Sequence, residues 1–279
     1  MASLRETERS GFGHIRLWPR NTCRCTKRRC VVEPIFNFGL ENNSPLLSVI
    51  IPAIGIDLEL NRCIDSVRLA CGTDRNRCEI ILVTPASQVD FAKATLVGVN
   101  TVVAETRRGI YAAMNDGIGA SCGRYLYFLG KDDIVLPAFA QMLDQLEKDG
   151  GCAAFCDVYY GSKGVYSGRP SKWQVLLRNF CHQGVIYSRE VIDTLGPYLR
   201  RMRVQADHLL NIRMLWDPRF VGTIRYFRGA RVWYSADGFS SVARDPTFWR
   251  LYPVVLKRYV SPVAALLLTA SRWLRFLFR

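Results

Sequence analysis

The sequence predicts an α/β protein in which a mainly parallel β-sheet is covered by helices on both faces. Short runs of apolar, often β-branched residues alternate with amphipathic stretches through the first 150 residues. Such runs are typical of strands buried on both sides, and their alternation with helices is typical of parallel sheets. Parallel sheets bind ligands beyond the carboxyl ends of their strands, so the residues that follow each run are candidates for a functional site.

Each element of the first half is predicted from its own pattern. Residues 46–52 are apolar and close with a proline, which is typical of a buried strand. Apolar residues then recur at Leu60, Ile64 and Val67, which is the spacing of a helix. The same reasoning predicts strands over 79–83, 101–104 and 125–129, and helices over 58–70, 91–97, 109–120 and 137–148.

The second half of the chain is less regular. Strands are predicted over 155–160 and 185–187, and helices over 189–195 and 206–215. This half is expected to build the second wall of a cleft. The sequence is therefore divided into a basic, turn-rich extension over 1–44, an α/β domain over 45–245 and a basic amphipathic segment over 246–279.

The formal net charge of +14 is concentrated at the two ends of the chain. Residues 1–30 carry eight Lys or Arg and two Glu, and residues 250–279 carry six Lys or Arg and no acid. The body between them is nearly neutral. Because the sequence has no helix-turn-helix or zinc-finger spacing and no strand pattern with exposed aromatic residues, we expect no nucleic-acid partner.

The C-terminal segment has the pattern of a helix that lies on a membrane. Residues 260–270 are apolar apart from Ser261 and Thr269, but eleven residues are too few to cross a bilayer, which takes about twenty. Basic residues flank this run, and aromatic residues follow it. We therefore expect residues 252–279 to bind an anionic membrane surface. The alternative is a helix that packs its apolar face on the protein body.

The cysteines and the N-terminal residues indicate a reducing compartment. Ten cysteines are scattered along the chain, and residues 1–30 lack the apolar stretch of a secretory signal. We therefore expect reduced thiols in a cytoplasmic protein that is peripheral on the inner face of the cell membrane. Cys23, Cys25 and Cys30 lack the paired spacing of zinc ligands and are interpreted as thiols of the basic extension.

Three polar clusters follow apolar stretches or open a predicted helix. Residues 130–133, Gly-Lys-Asp-Asp, come directly after the fourth strand, where two adjacent carboxylates indicate either a solvated turn or a cation site. Residues 181–184 contain a histidine, which usually has a structural role. In residues 205–208, Asp207 is either a helix cap or a general base that points into the cleft.

Taken in order, these motifs resemble those of the bacterial family 2 glycosyltransferases, enzymes of the GT-A fold that build envelope polysaccharides and glycolipids. The resemblance covers roughly residues 46–245. Its most specific motif is the string Gly-Ile-Tyr-Ala-Ala-Met-Asn-Asp-Gly-Ile at residues 109–118. The other motifs are Ser-Val-Ile-Ile-Pro at 48–52, Phe-Leu-Gly-Lys-Asp-Asp at 128–133, Cys-His-Gln at 181–183, Ala-Asp at 206–207 and Asp-Gly-Phe-Ser-Ser at 237–241.

This resemblance implies an inverting transfer of a sugar from a nucleotide-sugar donor to a hydroxyl of a lipid-linked or envelope glycan acceptor. Asp132 and Asp133 would hold Mg²⁺ or Mn²⁺ on the donor diphosphate and contact the ribose. Asp207 matches the catalytic base, which deprotonates the acceptor hydroxyl. Other positions match residues near the substrates: His182 and Gln183 near the diphosphate and acceptor, and Pro52, Glu105, Asn115 and Gly117 near the nucleotide.

The sequence departs from the family pattern at several places, including Arg107 and Ala112, which stand where acids are common. Residues 53–55, Ala-Ile-Gly, replace the usual Thr-Tyr-Asn, and Gly130 replaces the first acid of the Asp-x-Asp motif. Thr84 stands where an aspartate usually recognises the base, which leaves the identity of the nucleotide open. Because both acids of the metal pair and the base are present, we expect an active enzyme. The alternative is a non-catalytic binding or scaffold protein that kept the fold.

Overall fold

The computed structural model describes residues 44–72, 74, 77–235 and 245–277, the last seven by their backbone alone. The predicted basic extension up to residue 43 and the Asp-Gly-Phe-Ser-Ser motif at 237–241 lie outside the described residues. The strands are β1 (Leu47–Pro52), β2 (Cys78–Thr84), β3 (Thr101–Ala104), β4 (Tyr125–Phe128), β5 (Ile134–Val135), β6 (Ala153–Tyr160), β7 (Val165–Tyr166), β8 (Val185–Ser188) and β9 (Ile224–Tyr234). The helices are α1 (Leu58–Cys71), α2 (Val89–Thr95), α3 (Ile110–Ala120), α4 (Phe139–Asp149), α5 (Arg189–Leu195), α6 (Ala206–Trp216), α7 (Pro218–Val221), α8 (Pro246–Tyr259) and α9 (Pro262–Leu277).

The strands form one sheet in the order β3-β2-β1-β4-β8-β6-β9-β5, and β7 pairs with β6. The first four strands are parallel to one another. In the second half, β8 runs antiparallel to both β4 and β6, whereas β6 and β9 are parallel. The predicted α/β fold is confirmed, and the antiparallel strands are an addition that the sequence pattern did not reveal.

Apolar side chains are buried on both faces of the sheet, as predicted. One core lies between the sheet and α1 and α4, and includes Leu60 and Phe139. The other lies between the sheet and helices α3, α5, α6 and α8, and includes Met114 and Leu209. β1 and β4 are buried along almost their whole length because helices cover them on both sides.

Local contacts fix the helices that border the site. The Asp57 carboxylate caps α1 by accepting a hydrogen bond from the Leu60 N–H at 3.1 Å. α3 approaches β1 closely at Gly117, where a Cβ atom would lie only 2.4 Å from Cγ2 of Ile50. Glycine at this position therefore lets α3, whose first turn carries Tyr111, pack directly on the sheet.

β9 is the largest element that the sequence pattern did not reveal. Its sequence, Ile-Arg-Tyr-Phe-Arg-Gly-Ala-Arg-Val-Trp-Tyr, mixes charged and apolar residues, and most of its side chains are at least partly exposed. It pairs with β6 through a register shift at Asp157, whose carboxylate accepts hydrogen bonds from the N–H groups of Gly168 and Gly229, both at 2.8 Å. Tertiary pairing rather than a local pattern therefore defines this strand.

α8 belongs to the core of the α/β domain. The Asp245 carboxylate caps the helix by accepting a hydrogen bond from the Thr247 N–H at 2.7 Å. The helix then buries Phe248, Tyr252 and Leu256 and packs against α6. The predicted boundary at residue 245 therefore does not separate α8 from the body of the protein.

α9 presents apolar side chains to the outside. Val263, Leu266 and Leu267 are 66%, 70% and 62% exposed, and their spacing of three and four positions places them on one face of the helix. Ala265 is buried on the other side. Among the residues described, no helix combines the length and the apolar character that crossing a membrane requires.

Candidate active site

Polar residues that follow β1 and β4 meet at one edge of the sheet. From β1 the sheet continues to β2 and β3 on one side and to β4 on the other. The carboxyl ends of β1 and β4 therefore flank a topological switch point, where such sheets bind ligands. β8 is antiparallel to β4, so the residues that precede β8 lie at the same edge.

Asp133 is a fully buried carboxylate directly after β4. Its Oδ2 accepts hydrogen bonds from the Gly130 N–H at 3.0 Å and from Nε2 of Gln183 at 2.9 Å, and its Oδ1 accepts one from the Ser235 N–H at 3.1 Å. Burial and the neighbouring charge of Asp132 raise the pKa of Asp133 to about 7. The alternative of a solvated turn is therefore wrong for Asp133, and a bound cation would offset the cost of its buried charge.

Asp132 is the more accessible acid of the pair. Its Oδ2 accepts a hydrogen bond from the Ser235 hydroxyl at 2.8 Å. Ser235 thus contacts both acids, one through its backbone and the other through its side chain. No sequence motif pointed to Ser235, because this residue follows β9, a strand that was not predicted.

An acid at position 130, as in the family pattern, would require the side chains of Asp132 and Asp133 to shift. A Cβ atom there would lie 2.6 Å from Oδ2 of Asp133 and 2.8 Å from Oδ1 of Asp132. The turn therefore closes around the remaining two acids. Lys131, between Gly130 and Asp132 in sequence, forms an ion pair with Asp57, the cap of α1, and this contact lowers the pKa of Asp57.

Gln88 joins the carboxyl ends of β1 and β2. Its Oε1 accepts hydrogen bonds from the Gly55 N–H at 2.9 Å and from the Thr84 hydroxyl at 3.0 Å. Glu105 extends the same edge, because its N–H donates to the Thr84 carbonyl at 2.9 Å. Pro52 ends β1 and is half-buried. The predicted nucleotide contacts Pro52 and Glu105 thus lie at the carboxyl ends of β1 and β3, on either side of β2, and Gln88 is an additional polar residue there.

Two other predicted nucleotide contacts have partners within the protein. The Asn115 side chain pairs with the peptide groups of Tyr198, donating to its carbonyl at 2.7 Å and accepting from its N–H at 2.9 Å. Gly117 faces Ile50 of β1. Both residues hold α3 in place, and a direct contact of the Asn115 amide with a donor would require breaking both bonds. Their role near a nucleotide stays a prediction.

Asp207 lies in the first turn of α6, where it is 7% exposed. Its Oδ1 accepts a hydrogen bond from the Tyr111 hydroxyl at 2.6 Å, and its Oδ2 accepts one from Nδ2 of Asn179 at 2.5 Å. Gln205, which precedes the helix, has a φ of 70°, a strained conformation of the kind that clusters at functional sites. The carboxylate of Asp207 bonds to other elements of the fold, so the interpretation of Asp207 as a simple helix cap is wrong.

His182 lies among aromatic rings close to Asp207. Its ring stacks on Phe128 with 5.2 Å between ring centres, and its Nε2 lies 2.8 Å from the Tyr198 hydroxyl oxygen. Burial lowers the pKa of His182, while the charge of Asp207 acts in the opposite direction. The imidazole is therefore neutral at physiological pH and suited to hydrogen bonding rather than to ion pairing.

Cys181 lies near both the acid pair and Asp207. Burial raises the pKa of Cys181, and the charges of Asp133 and Asp207 raise it further. Its Sγ donates to Oε1 of Gln183 at 3.2 Å, while Nε2 of the same amide reaches Asp133. Residues 181–183 therefore link the acid pair to the surroundings of Asp207, and the role of these residues in one site stays a prediction.

The acid pair suits a hard divalent cation. Among the described residues, no cluster of three or more His, Cys, Asp or Glu side chains could form a complete protein cage for a metal. Mg²⁺ is commonly held by one or two carboxylates together with substrate phosphates. Asp132 and Asp133 therefore fit Mg²⁺ or Mn²⁺ that shares its coordination with a diphosphate, and the use of a metal stays a prediction.

Comparison with known proteins identifies the family. The family model described as "Glycosyl transferase family 2" matches residues 48–209, more than half of the chain. Proteins named "PGL/p-HBAD biosynthesis glycosyltransferase" in Mycobacterium bovis and Mycobacterium tuberculosis are 31% identical over 249 residues, which cover 85% of this chain and 94% of each relative. The chain belongs to glycosyl transferase family 2.

Solved structures of low sequence identity share the fold. S. aureus TarS 1-349 matches with a TM-score of 0.60 and 12% identity, over 80% of this chain and 69% of that chain. The mannosyltransferase PcManGT from Pyrobaculum calidifontis matches with a TM-score of 0.50 and 17% identity, over 82% and 74%. TarS has been solved with UDP-GlcNAc, and PcManGT with GDP-Man and Mn²⁺. The predicted GT-A fold, family and transferase class are confirmed.

Proposed function

We propose that this chain is an inverting, metal-assisted glycosyltransferase that moves a sugar from a nucleotide-sugar donor to a hydroxyl of a lipid-linked or envelope glycan acceptor. The observation that carries the proposal is the environment of Asp207. Its two carboxylate oxygens accept hydrogen bonds from Tyr111 and Asn179. The charges of Asp207 and Asp133 both raise the pKa of the Cys181 thiol. A base and a cation site near each other are what this reaction requires.

The acid pair is proposed as the metal site. Asp132 and Asp133 would hold Mg²⁺ or Mn²⁺, and the bound ion would neutralise charge on the departing diphosphate. Ser235 and Gln183 keep the carboxylates in place through direct hydrogen bonds. The remaining proposed substrate contacts are His182 and Gln183 at the diphosphate and acceptor, and Pro52, Glu105, Asn115 and Gly117 around the nucleotide.

Asp207 is proposed as the general base. Its carboxylate takes the proton of the acceptor hydroxyl while the hydroxyl oxygen forms a bond to the anomeric carbon of the donor sugar. The bond from that carbon to the diphosphate oxygen breaks, and its electron pair leaves with the nucleoside diphosphate. Attack from the face opposite the leaving group inverts the anomeric configuration. The hydrogen bonds from Tyr111 and Asn179 hold the carboxylate in one orientation, which lowers the entropic cost of reaction.

A lipid-linked acceptor and a membrane location are supported by two observations. The mycobacterial relatives are named for PGL/p-HBAD biosynthesis. In addition, the outward apolar face of α9, formed by Val263, Leu266 and Leu267, belongs to a segment, residues 252–279, that has no acidic residue. Because the α8 part of this segment buries Tyr252 and Leu256 in the core, we propose that α9 is the part that lies in the interface of an anionic membrane, at its cytoplasmic face.

A donor screen tests the proposal. Purified protein with Mn²⁺ is offered UDP-, GDP- and dTDP-sugars, and binding is followed by calorimetry and turnover by release of the nucleoside diphosphate. Binding of one donor class that is weakened by Asp132→Ala, but not by Asp65→Ala on the exposed side of α1, supports it. No binding and no release with any donor would overturn it.

A further inference from the structure

We infer that Asn179 is a positioning residue for Asp207, and that a chain of hydrogen bonds from Tyr187 through Asn211 sets the direction in which its amide points. The inference deepens the proposed function and rests on the role proposed there for Asp207. No sequence motif pointed to Asn179, Asn211 or Tyr187.

Asn179 bridges two residues of α6. Asp207 and Asn211 are four positions apart, so their side chains lie on the same face of the helix. Nδ2 of Asn179 donates to Oδ2 of Asp207 at 2.5 Å, and Oδ1 of Asn179 accepts from Nδ2 of Asn211 at 2.9 Å. The amide of Asn179 therefore bridges one turn of α6. Its N–H donates to Asp207, and its oxygen accepts from Asn211.

The direction of the Asn179 amide is set from the far end of the chain. The Tyr187 hydroxyl donates to Oδ1 of Asn211 at 2.9 Å, which leaves Nδ2 of Asn211 to face Asn179. That N–H group needs an acceptor, so Asn179 turns its oxygen towards Asn211 and its nitrogen towards Asp207. Tyr187 and Asn211 are both 0% exposed, so water does not compete for these bonds.

The main chain of Asn179 is anchored as well. The Tyr166 hydroxyl donates to the Asn179 carbonyl at 2.8 Å. The Arg178 guanidinium lies 4.3 Å from the centre of the Tyr166 ring and restrains this tyrosine in turn. A residue fixed through both its main chain and its side chain presents its donor at one place, which suits the orientation of a carboxylate.

The charge of Asp207 affects five titratable side chains, and all five are uncharged at neutral pH. They are Tyr111 of α3, Cys181 and His182 before β8, Tyr187 of β8 and Tyr198 after α5. Burial raises the pKa of each of these tyrosine and cysteine groups, and burial lowers the pKa of the histidine. Asp133 also titrates in this site, with a pKa of about 7, but the side chain of Asn179 bonds to Asp207 and Asn211. A change in the pH dependence of turnover on substitution of Asn179 therefore reports on Asp207.

The test compares pH–rate profiles of nucleoside diphosphate release by the full-length wild type and its variants. A donated N–H favours the ionised carboxylate, so Asn179→Ala should move the acidic limb of kcat/KM to higher pH by about one unit. It should also lower kcat by about tenfold with little change in the KM for the donor. Asn179→Asp keeps the shape of the side chain but replaces the donor with a second carboxylate, and should move the limb at least as far.

Asn211→Asp tests the chain without touching Asp207. A carboxylate at position 211 cannot donate to Oδ1 of Asn179 and competes with Asp207 for Nδ2 of Asn179, and its charge disfavours ionisation of Asp207, so the acidic limb should again move to higher pH. Asn100→Ala is the matched control, because Oδ1 of Asn100 accepts a hydrogen bond from the Ile80 N–H at 2.9 Å, at the opposite edge of the sheet.

Two outcomes separate this inference from the proposed function. Unmoved profiles of Asn179→Ala and Asn179→Asp beside an active wild type would overturn the inference alone. A wild-type protein that binds no nucleotide and releases no nucleoside diphosphate would overturn the proposed function and the inference with it.

Discussion

The Tyr111 hydroxyl donates a hydrogen bond of 2.6 Å to Asp207 across 96 residues of sequence. This bond joins the first turn of α3 to the first turn of α6. Burial and the charge of Asp207 raise the pKa of Tyr111 well above its usual value, so the phenol remains a hydrogen-bond donor at neutral pH. The Gly-Ile-Tyr motif and the proposed base are therefore in direct contact in the fold.

Tyr111→Phe should slow sugar transfer while leaving donor binding intact. The substitution removes one of the two donors that orient the Asp207 carboxylate but keeps the ring packed, so we expect kcat to fall by about tenfold to a hundredfold. Steady-state kinetics with the donor found for the wild type measures this. Tyr159→Phe, at a tyrosine that is 44% exposed, is the control and should retain full turnover. An unchanged kcat in Tyr111→Phe would contradict the role of Tyr111 in orienting Asp207.

The buried acid Asp133 should make stability depend on pH. Its pKa is about 7 in the folded protein, against an ordinary value of 3.8. Between these pH values the folded state binds more protons than the unfolded state, so this group makes the free energy of unfolding fall as pH rises, by at most about 1.4 kcal/mol per pH unit. Urea unfolding at several pH values in EDTA measures the slope, and Asp133→Asn should flatten it. Equal slopes in the two proteins would contradict this prediction.

Metal binding should show the opposite dependence on pH. Protons compete with a cation for Asp133, so Mn²⁺ with a nucleoside diphosphate should raise the melting temperature more at pH 7.5 than at pH 5.5. Asp132→Ala should lose most of this stabilisation, whereas Asp65→Ala should keep it. A shift of the same size at both pH values, or one that survives in Asp132→Ala, would place the metal elsewhere.

The outward face of α9 should govern membrane binding. Leu266→Ser combined with Leu267→Ser should reduce co-sedimentation with vesicles that contain anionic lipid by about tenfold. Leu69→Ser on α1, at a leucine that is 85% exposed, is the matched control. Deletion of residues 252–279 is a poorer test, because it would also remove Tyr252, Val255 and Leu256 from the core. Vesicle binding that is unchanged in the double variant would refute the interfacial role.

The first half of the fold was predictable because its strands are buried on both faces. Their apolar runs and the helices between them repeat a pattern that local sequence displays, and the acid pair follows β4 at the expected edge. β9 has no such pattern. It mixes charged and apolar residues, and it is stabilised by its pairing with β6. Ser235, which follows β9, was therefore missed as a partner of the acids.

The surroundings of the base were only partly predictable. Tyr111 and Asp207 belong to recognisable motifs, although nothing in the sequence shows that they touch. Asn179 lies in an irregular segment, and neither it nor its neighbours Arg178 and Phe180 belong to a motif. Its partnership with Asp207 and Asn211 arises only when that segment packs against α6, which is a tertiary contact that no local spacing encodes.

Turnover of the Asp207→Asn variant tests the central claim most directly. The asparagine keeps the shape of the side chain but cannot take a proton, so release of nucleoside diphosphate in the presence of acceptor should fall by a factor of about 10² to 10⁴. Calorimetry of the same variant with Mn²⁺ and the donor should give an affinity close to that of the wild type. Transfer at the wild-type rate by the Asp207→Asn protein would contradict the assignment of Asp207 as the base.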